Sequence, residues 1–441
     1  MPNLVAYLAL IIWPFVAIRL YKRLSPVEAT FWTIFGGFLL LPVKTDFDFP
    51  FIPPLNKSSI PVIMALIGCV FIKRIKIRLI PKNGPERWLI IVLLITPLIT
   101  VVNNQEPINF VRGLTLHDAI SAVISQYLGL LAFIIGIQLV KKYEDQLLLF
   151  KLLVIAALFY SIPILYEVRF SPQLHTNVYG FFPHNFVQQM REGGFRPVVF
   201  LGHGLIVALF IAIALGASSI LMKAKNKIRG IPPLAVTVYL FLLLLLCKSL
   251  GAFLIGVVIM VAILWMPIYA VNRTSLVLIA IVILYPFLSI YDLFPHQQLV
   301  QLATDYDTQR GDSLAFRFRH EGWLLDHARQ KLLFGWGGWG RNRLDHAVTD
   351  GYWIIKLGQY GLFGFISLFG LLVLGVWKAI KSSKLVRNKR SQQMIVYHAL
   401  IISVILVDQI PNASLNAWAM FLAGGLLGRA NSILAENKIR Q

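Results

Sequence analysis

Val198-Val-Phe-Leu-Gly-His-Gly-Leu-Ile-Val-Ala-Leu-Phe-Ile-Ala-Ile-Ala-Leu-Gly-Ala-Ser-Ser-Ile-Leu-Met222 runs for 25 residues without an Asp, Glu, Lys or Arg. A helix needs about 20 mostly apolar residues to cross the hydrocarbon core of a bilayer, so this stretch reads as a membrane span. Working outward from it, comparable runs recur at 4–18, 27–43, 60–72, 88–102, 119–140, 147–166, 231–247, 250–270, 274–291, 351–377, 394–408 and 413–428. Several are short, 60–72 above all. The last two flank Asp408-Gln-Ile-Pro-Asn412, as the arms of a broken hairpin would.

Composition agrees. A water-soluble chain carries roughly 45–50% apolar and about 25% charged residues; these 441 residues are 57% hydrophobic and 14% charged, with mean hydropathy +0.72. One core cannot cover that much apolar surface, which excludes a soluble enzyme and a disordered chain. The expected fold is an all-α polytopic integral membrane protein of about 12–13 transmembrane helices, a single membrane domain over 1–441. The net charge of +21 follows from Lys and Arg collecting in cytoplasmic loops, and no nucleic-acid partner is expected. Cys69 and Cys247 lie inside apolar stretches and read as packing residues.

Alternate connections between the spans test the count. One set, 19–26, 73–87, 141–146, 223–230, 271–274, 378–393 and 429–441, carries 25 Lys and Arg; the other carries 14, half of them in 292–350. The positive-inside rule then puts the N-terminus outside and the C-terminus in the cytoplasm. The first span has its basic residues after it, at Arg19, Lys22 and Arg23. That is the reverse of a secretory signal, so it reads as a retained anchor.

Polar chemistry gathers in the outward set. The loop 167–197 ends in Arg191-Glu-Gly-Gly-Phe-Arg196-Pro197. Arginine there suits a phosphate or diphosphate, because its planar fork bonds two oxygens at once and keeps its charge; headgroup snorkelling is the plainer account. The long loop 292–350 has eight acids, seven bases and four histidines. Within it, 314–333 reads as an amphipathic interfacial helix, with Leu324, Ala328 and Leu332 on one stripe and Arg319 a turn from Trp323. Trp336-Gly-Gly-Trp339-Gly follows, either as a platform for sugar rings or as part of an aromatic belt. Asp350, before Gly351-Tyr352-Trp353, is poised as a general base or as a helix N-cap. Lys356, a turn and a half further on, would line the same cavity. No His, Cys and carboxylate set has ligand spacing, so neither metal nor cofactor is expected.

Three stretches resemble the O-antigen ligase and polymerase superfamily, membrane enzymes that handle polyprenyl-diphosphate-linked glycans outside the cytoplasmic membrane. Ser313-Leu-Ala-Phe-Arg317-Phe-Arg319-His-Glu-Gly-Trp323 through Gly335-Trp-Gly-Gly338 is similar to the family's Arg, Trp and Gly-x-Gly pattern. Gly361-Leu-Phe-Gly364 matches its Gly-x-x-Gly, and Lys248-Ser-Leu-Gly251 resembles its Ser-Arg-Gly. The pairs Arg191/Gly202 and Arg329/Gly340 fit an Arg-x10-Gly spacing. Where the ligases carry a catalytic His, eleven residues before the Gly-x-x-Gly, this chain has Asp350; its His184-Asn185 pair lacks the glycines that should follow.

The resemblance therefore implies a polymerase-like, metal-independent glycosyltransferase of the bacterial inner membrane that joins polyprenyl-diphosphate-linked repeat units. A ligase acting on a lipid or protein acceptor, or a glycan transporter, are the alternatives. It implies Arg196 and Arg319 on the diphosphate, Asp350 as base, and Arg191 and Arg317 as auxiliary cations. Trp323, Trp336, Trp339, Tyr352 and Lys356 would hold substrate. Membrane lipids and a chain-length regulator or flippase are the partners implied.

Overall fold

A computed structural model describes residues 1–49, 52–108, 110–191, 193–348 and 350–440; the side chains of Ile52, Arg191 and Arg440 also lie outside the described set. Sixteen α-helices make up most of the described structure. They begin with α1 (Leu4–Arg23), α2 (Pro26–Leu40) and α3 (Ile60–Ile67), which runs on as a π-turn over Gly68–Ile72. A hairpin, β1 (Asp46–Phe49) and β2 (Ile52–Asn56), lies between α2 and α3. Then come α4 (Pro85–Val102), α5 (Leu116–Leu139), α6 (Tyr143–Phe170), α7 (Leu174–Tyr179) and a two-residue pair, β3 (Met190–Arg191) with β4 (Gly194–Phe195). The second half holds α8 (Gly204–Lys223), α9 (Pro233–Leu246), α10 (Leu250–Trp265), α11 (Ile268–Ile290), α12 (His296–Tyr306), α13 (Thr308–Arg329), α14 (Tyr352–Ser383), α15 (Lys389–Asp408) and α16 (Ala417–Arg440).

The helix starts follow local chemistry. Asn3 caps α1 by accepting from the Ala6 amide, Asn388 caps α15, and Thr115 and Asp118 form a capping box on α5. Proline occupies the first turn of α2, α3, α4 and α9, where its missing N–H costs nothing. Among the described residues, eight helices are long and apolar enough to cross a membrane: α1, α4, α5, α6, α8, α11, α14 and α15. Four apolar helices are shorter: α2, α3 with its π-turn, α9 and α10. The protein is thus a multi-pass membrane protein. α8 and α15 are its most buried spans and form the centre of the apolar core. The closest pairing, α5 on α16, lets backbones meet: a side chain on Gly424 would collide with the Phe133 carbonyl.

Two sequence expectations shift. The run 198–222 becomes helical only from Gly204, because 198–203 is bonded elsewhere (below). The helix expected over 314–333 spans 308–329 instead, since Asp307 caps it by accepting from the Arg310 amide. Of the expected stripe, Leu324 and Ala328 are buried on this helix, whereas Leu332 falls beyond its end.

Connections bond to one another within two groups. In one, Asn3 reaches Tyr179, Lys57 reaches the Leu41 and Phe200 carbonyls, Arg341 reaches Arg112, and Arg317 reaches Pro411. In the other, Lys378 pairs with Glu86 at 2.7 Å and Arg429 bonds the Lys141 carbonyl.

Candidate functional site

The site is built on the last turn of α6. Glu167, buried there, accepts hydrogen bonds from the amides of Leu174 (2.9 Å), Val198 (2.7 Å) and Val199 (2.7 Å). Val199 sits at φ +49°, a left-handed conformation that a β-branched residue adopts only when its surroundings impose it. The carboxylate is that imposition. It ties the segment before α8 to the bundle, and this is why 198–203 is not helix.

Arg196 is thereby fixed. Its amide bonds the Gln189 carbonyl (2.8 Å), its stem packs against Gly204, where a side chain would collide with it, and its Nη2 donates to the Lys248 carbonyl (3.0 Å). Lys248, at φ +47°, brings its ammonium to Gly194. His203 caps α8, its Nδ1 accepting from the Leu205 amide (3.0 Å), and its ring meets His184 edge-on at 4.7 Å. Gly202 packs on Val43, next to Lys44, which has φ +52°. Lys44, Arg196 and Lys248 thus gather with two imidazoles around the N-terminus of α8, an end that itself favours anions. Lys44 and His203 are not among the site residues expected from sequence; a lysine in the base-poor set of connections is the one signal for Lys44.

Asp350 enters from the other side. Burial and the Lys44 ammonium hold the His184 imidazole below its ordinary range, while a hydrogen bond to the Asn185 backbone and the Asp350 carboxylate pull it upward. Asp350 is half-buried and does not cap α14; Gly351 holds that position. The Tyr352 amide bonds the Gln409 and Asn412 carbonyls, which sets the start of α14 against the 408–414 turn. Arg317 arrives at the same turn, its Nη1 3.4 Å from the Pro411 carbonyl and its charge felt by Asp408. Asp408 in turn accepts from Asn412 (2.8 Å) and Ser414 (2.5 Å). The charge of Asp350 thus reaches His184, whose ring meets His203 at the start of α8, while Arg317 lies at the 408–414 turn. The side chain of Arg191 lies outside the described residues.

The remaining expected residues go elsewhere. Arg319 is two residues from Arg317, about 200° around a helix, and lines a different space, a cleft of about 830 Å³ between α12 and α13. Tyr352 and Lys356 line a separate cavity of about 340 Å³ with Asn56, Gln126 and Asn416, so Lys356 does not share the space around Asp350. Its ammonium donates to Gln359 (3.1 Å) and lies over the rings of Tyr352 and Tyr360.

Trp336 cannot be a sugar platform: one face stacks on His327 at 4.6 Å, Lys331 lies 4.8 Å from the ring, and its N–H donates to the His327 carbonyl. Trp323 is half-exposed, edge-on to His320 and His346, and Trp339 is exposed at φ +54°.

The Gly-x-x-Gly is architectural. α14 breaks at Gly361 (φ +63°, ψ −163°), and the segment 332–337 bonds across the break. Leu362 and Phe363 donate to the Leu332 and Leu333 carbonyls, and Trp336 and Gly337 donate to those of Gly358 and Gln359. Irregular backbone at membrane depth needs such partners. Among the described residues, no three His, Cys, Asp or Glu side chains form a metal-holding group. No protein-family model and no curated protein matches this chain, so the chemistry of the site rests on its own geometry.

Proposed function

We propose that the protein is a glycan polymerase that joins polyprenyl-diphosphate-linked repeat units at the outer face of a bacterial cytoplasmic membrane. The observation that carries this reading is the gathering of Arg196, Lys248, His203 and His184 at the start of α8, where His184 feels the charges of both Lys44 and Asp350. A cationic surface next to a base is what a diphosphate leaving group and an attacking hydroxyl require. Arg196, Lys44 and Lys248 hold the diphosphate. Asp350 takes the proton of the acceptor sugar hydroxyl, whose oxygen attacks the anomeric carbon. The carbon–oxygen bond to phosphate breaks, and polyprenyl diphosphate leaves with the electron pair. Arg319, set apart by the fold, has no place in this step. The N-terminus and the loops 167–197 and 292–350 lie outside, the C-terminus in the cytoplasm, and a flippase supplies substrate.

The test is polymerisation in liposomes carrying the lipid-linked repeat unit. Arg196→Ala and Asp350→Asn, folded and expressed, should each lower the rate by about 10²-fold or more; full activity in either would refute the assignment. In cells, loss of the gene should collapse the glycan ladder to one unit. One observation favours a second reading, transfer of finished glycan to an acceptor: His184, within reach of the Asp350 charge, offers the histidine base of a ligase. Long chains left on the carrier in the deletion strain would select it.

A further inference from the structure

The helix α12 is turned inside out for a helix resting on a protein. His296, Gln297, Val300, Gln301, Thr304 and Asp305 occupy one face and line the cleft toward α13. Leu302 and Tyr306 project from the opposite face, 66% and 84% exposed, and no residue of the helix is buried. A helix that docks on a protein ordinarily turns its apolar stripe inward. Leu284 and Leu288 of α11, with Tyr291 and Leu293 after it, are likewise exposed. α11 is long and apolar enough to cross a membrane, and an outward apolar face on the helix that follows it suits lipid.

The lining is polar and carries more acids than bases, Asp292, Asp305, Glu321 and Asp326 against Arg319 and Arg329. Arg329 is taken up by Asp292 (2.6 Å) and Asp326 (2.7 Å). Glu321 accepts from the Tyr285 hydroxyl and faces the His296 imidazole at 3.9 Å. Arg319 and Asp305 also line it. A diphosphate would find no excess of positive charge here. The amides of Gln297 and Gln301 each donate and accept, and the Thr304 hydroxyl, which donates to the Val300 carbonyl (2.9 Å), is left to accept. Phe318, edge-on to His296 at 4.6 Å, adds an apolar wall. Paired donors and acceptors beside an aromatic ring suit rings that carry hydroxyls on their edges and C–H groups on their faces. The cavity of about 830 Å³ is roomy for a small ligand.

We propose that this cleft binds the neutral, hydroxyl-rich part of a membrane-borne substrate, a run of sugar residues. It rests on the polymerase reading and deepens it: the diphosphate is held near Arg196, the glycan between α12 and α13.

The test uses the full chain in nanodiscs and, as probe, the lipid-free oligosaccharide released by mild acid from the lipid-linked intermediates of the producing cell. Binding to the wild type is expected to be unaffected by inorganic pyrophosphate. Gln301→Trp, which fills the cleft from an exposed position, should weaken binding by about tenfold or more, and Gln301→Ala by less. Wild type that does not bind the oligosaccharide, binding that pyrophosphate displaces, or unchanged affinity in Gln301→Trp would each overturn the proposal. If polymerisation persists while binding ignores Gln301→Trp, only the cleft assignment falls. If binding depends on the cleft but the wild type polymerises nothing, the proposed function falls and the cleft stands.

Discussion

Gly361→Ala should be among the most damaging single changes in the chain, and the reason lies in the backbone. At φ +63° and ψ −163° the residue occupies a region open essentially to glycine alone, which costs another residue about 1–3 kcal/mol. A methyl group there would also run into the Leu333 carbonyl and the Phe334 amide, which are backbone and cannot rotate away. The segment 332–337 would have to retreat, weakening the bonds from Leu362 and Phe363 and those accepted by Gly358 and Gln359. Losing two of these at about 1 kcal/mol each brings the total to roughly 3–5 kcal/mol. Gly370→Ala, on the same helix, is the control. Its added methyl meets only Leu89 at ordinary contact distance, and alanine is favoured over glycine in a helix by roughly 1 kcal/mol. Denaturant titrations in mixed micelles should thus move in opposite directions for the two variants. Amide exchange should also speed up at Trp336 and Gly337 in Gly361→Ala alone. A Gly361→Ala protein within about 1 kcal/mol of wild type, with those amides still protected, would refute the argument.

Other consequences follow from the site. Asp350→Asn removes a carboxylate that raises the His184 pKa, so the imidazole should titrate at lower pH than in wild type. Histidine NMR checks this, and an unchanged midpoint would separate the two residues. Glu167→Ala leaves the amides of Leu174, Val198 and Val199 without an acceptor; a loss of about 2–4 kcal/mol in melting experiments is expected, together with lower transfer as Arg196 loses its anchor. Trp336→Ala removes a buried ring with a bonded N–H and should cost about 3–5 kcal/mol. Trp339→Ala, at an exposed position, should stay within about 0.5 kcal/mol; equal losses would mean that the two rings are equivalent after all.

The class of this protein was legible in sequence, because hydrocarbon imposes a one-dimensional rule: long apolar runs must be helices that bond their own backbone. Spans such as 119–140 and 394–408 reappear within a few residues as α5 and α15. The same rule misplaced the start of α8, since apolarity alone cannot register that Glu167, some thirty residues earlier, claims the amides of Val198 and Val199. Candidate chemistry was legible as residue types: arginines, an aspartate and tryptophans on one set of loops. Their grouping was not. Arg317 and Arg319 look alike in a string, but helical rotation sends one to the 408–414 turn and the other into the α12–α13 cleft. His184, discounted by its spacing, meets His203 at the start of α8 and feels the charge of Asp350, more than 160 residues later in the chain. Composition and periodicity are local properties, and they determined that the chain enters a membrane and roughly where it crosses. Which side chains share a space depends on contacts between distant segments, and that only the tertiary structure decided.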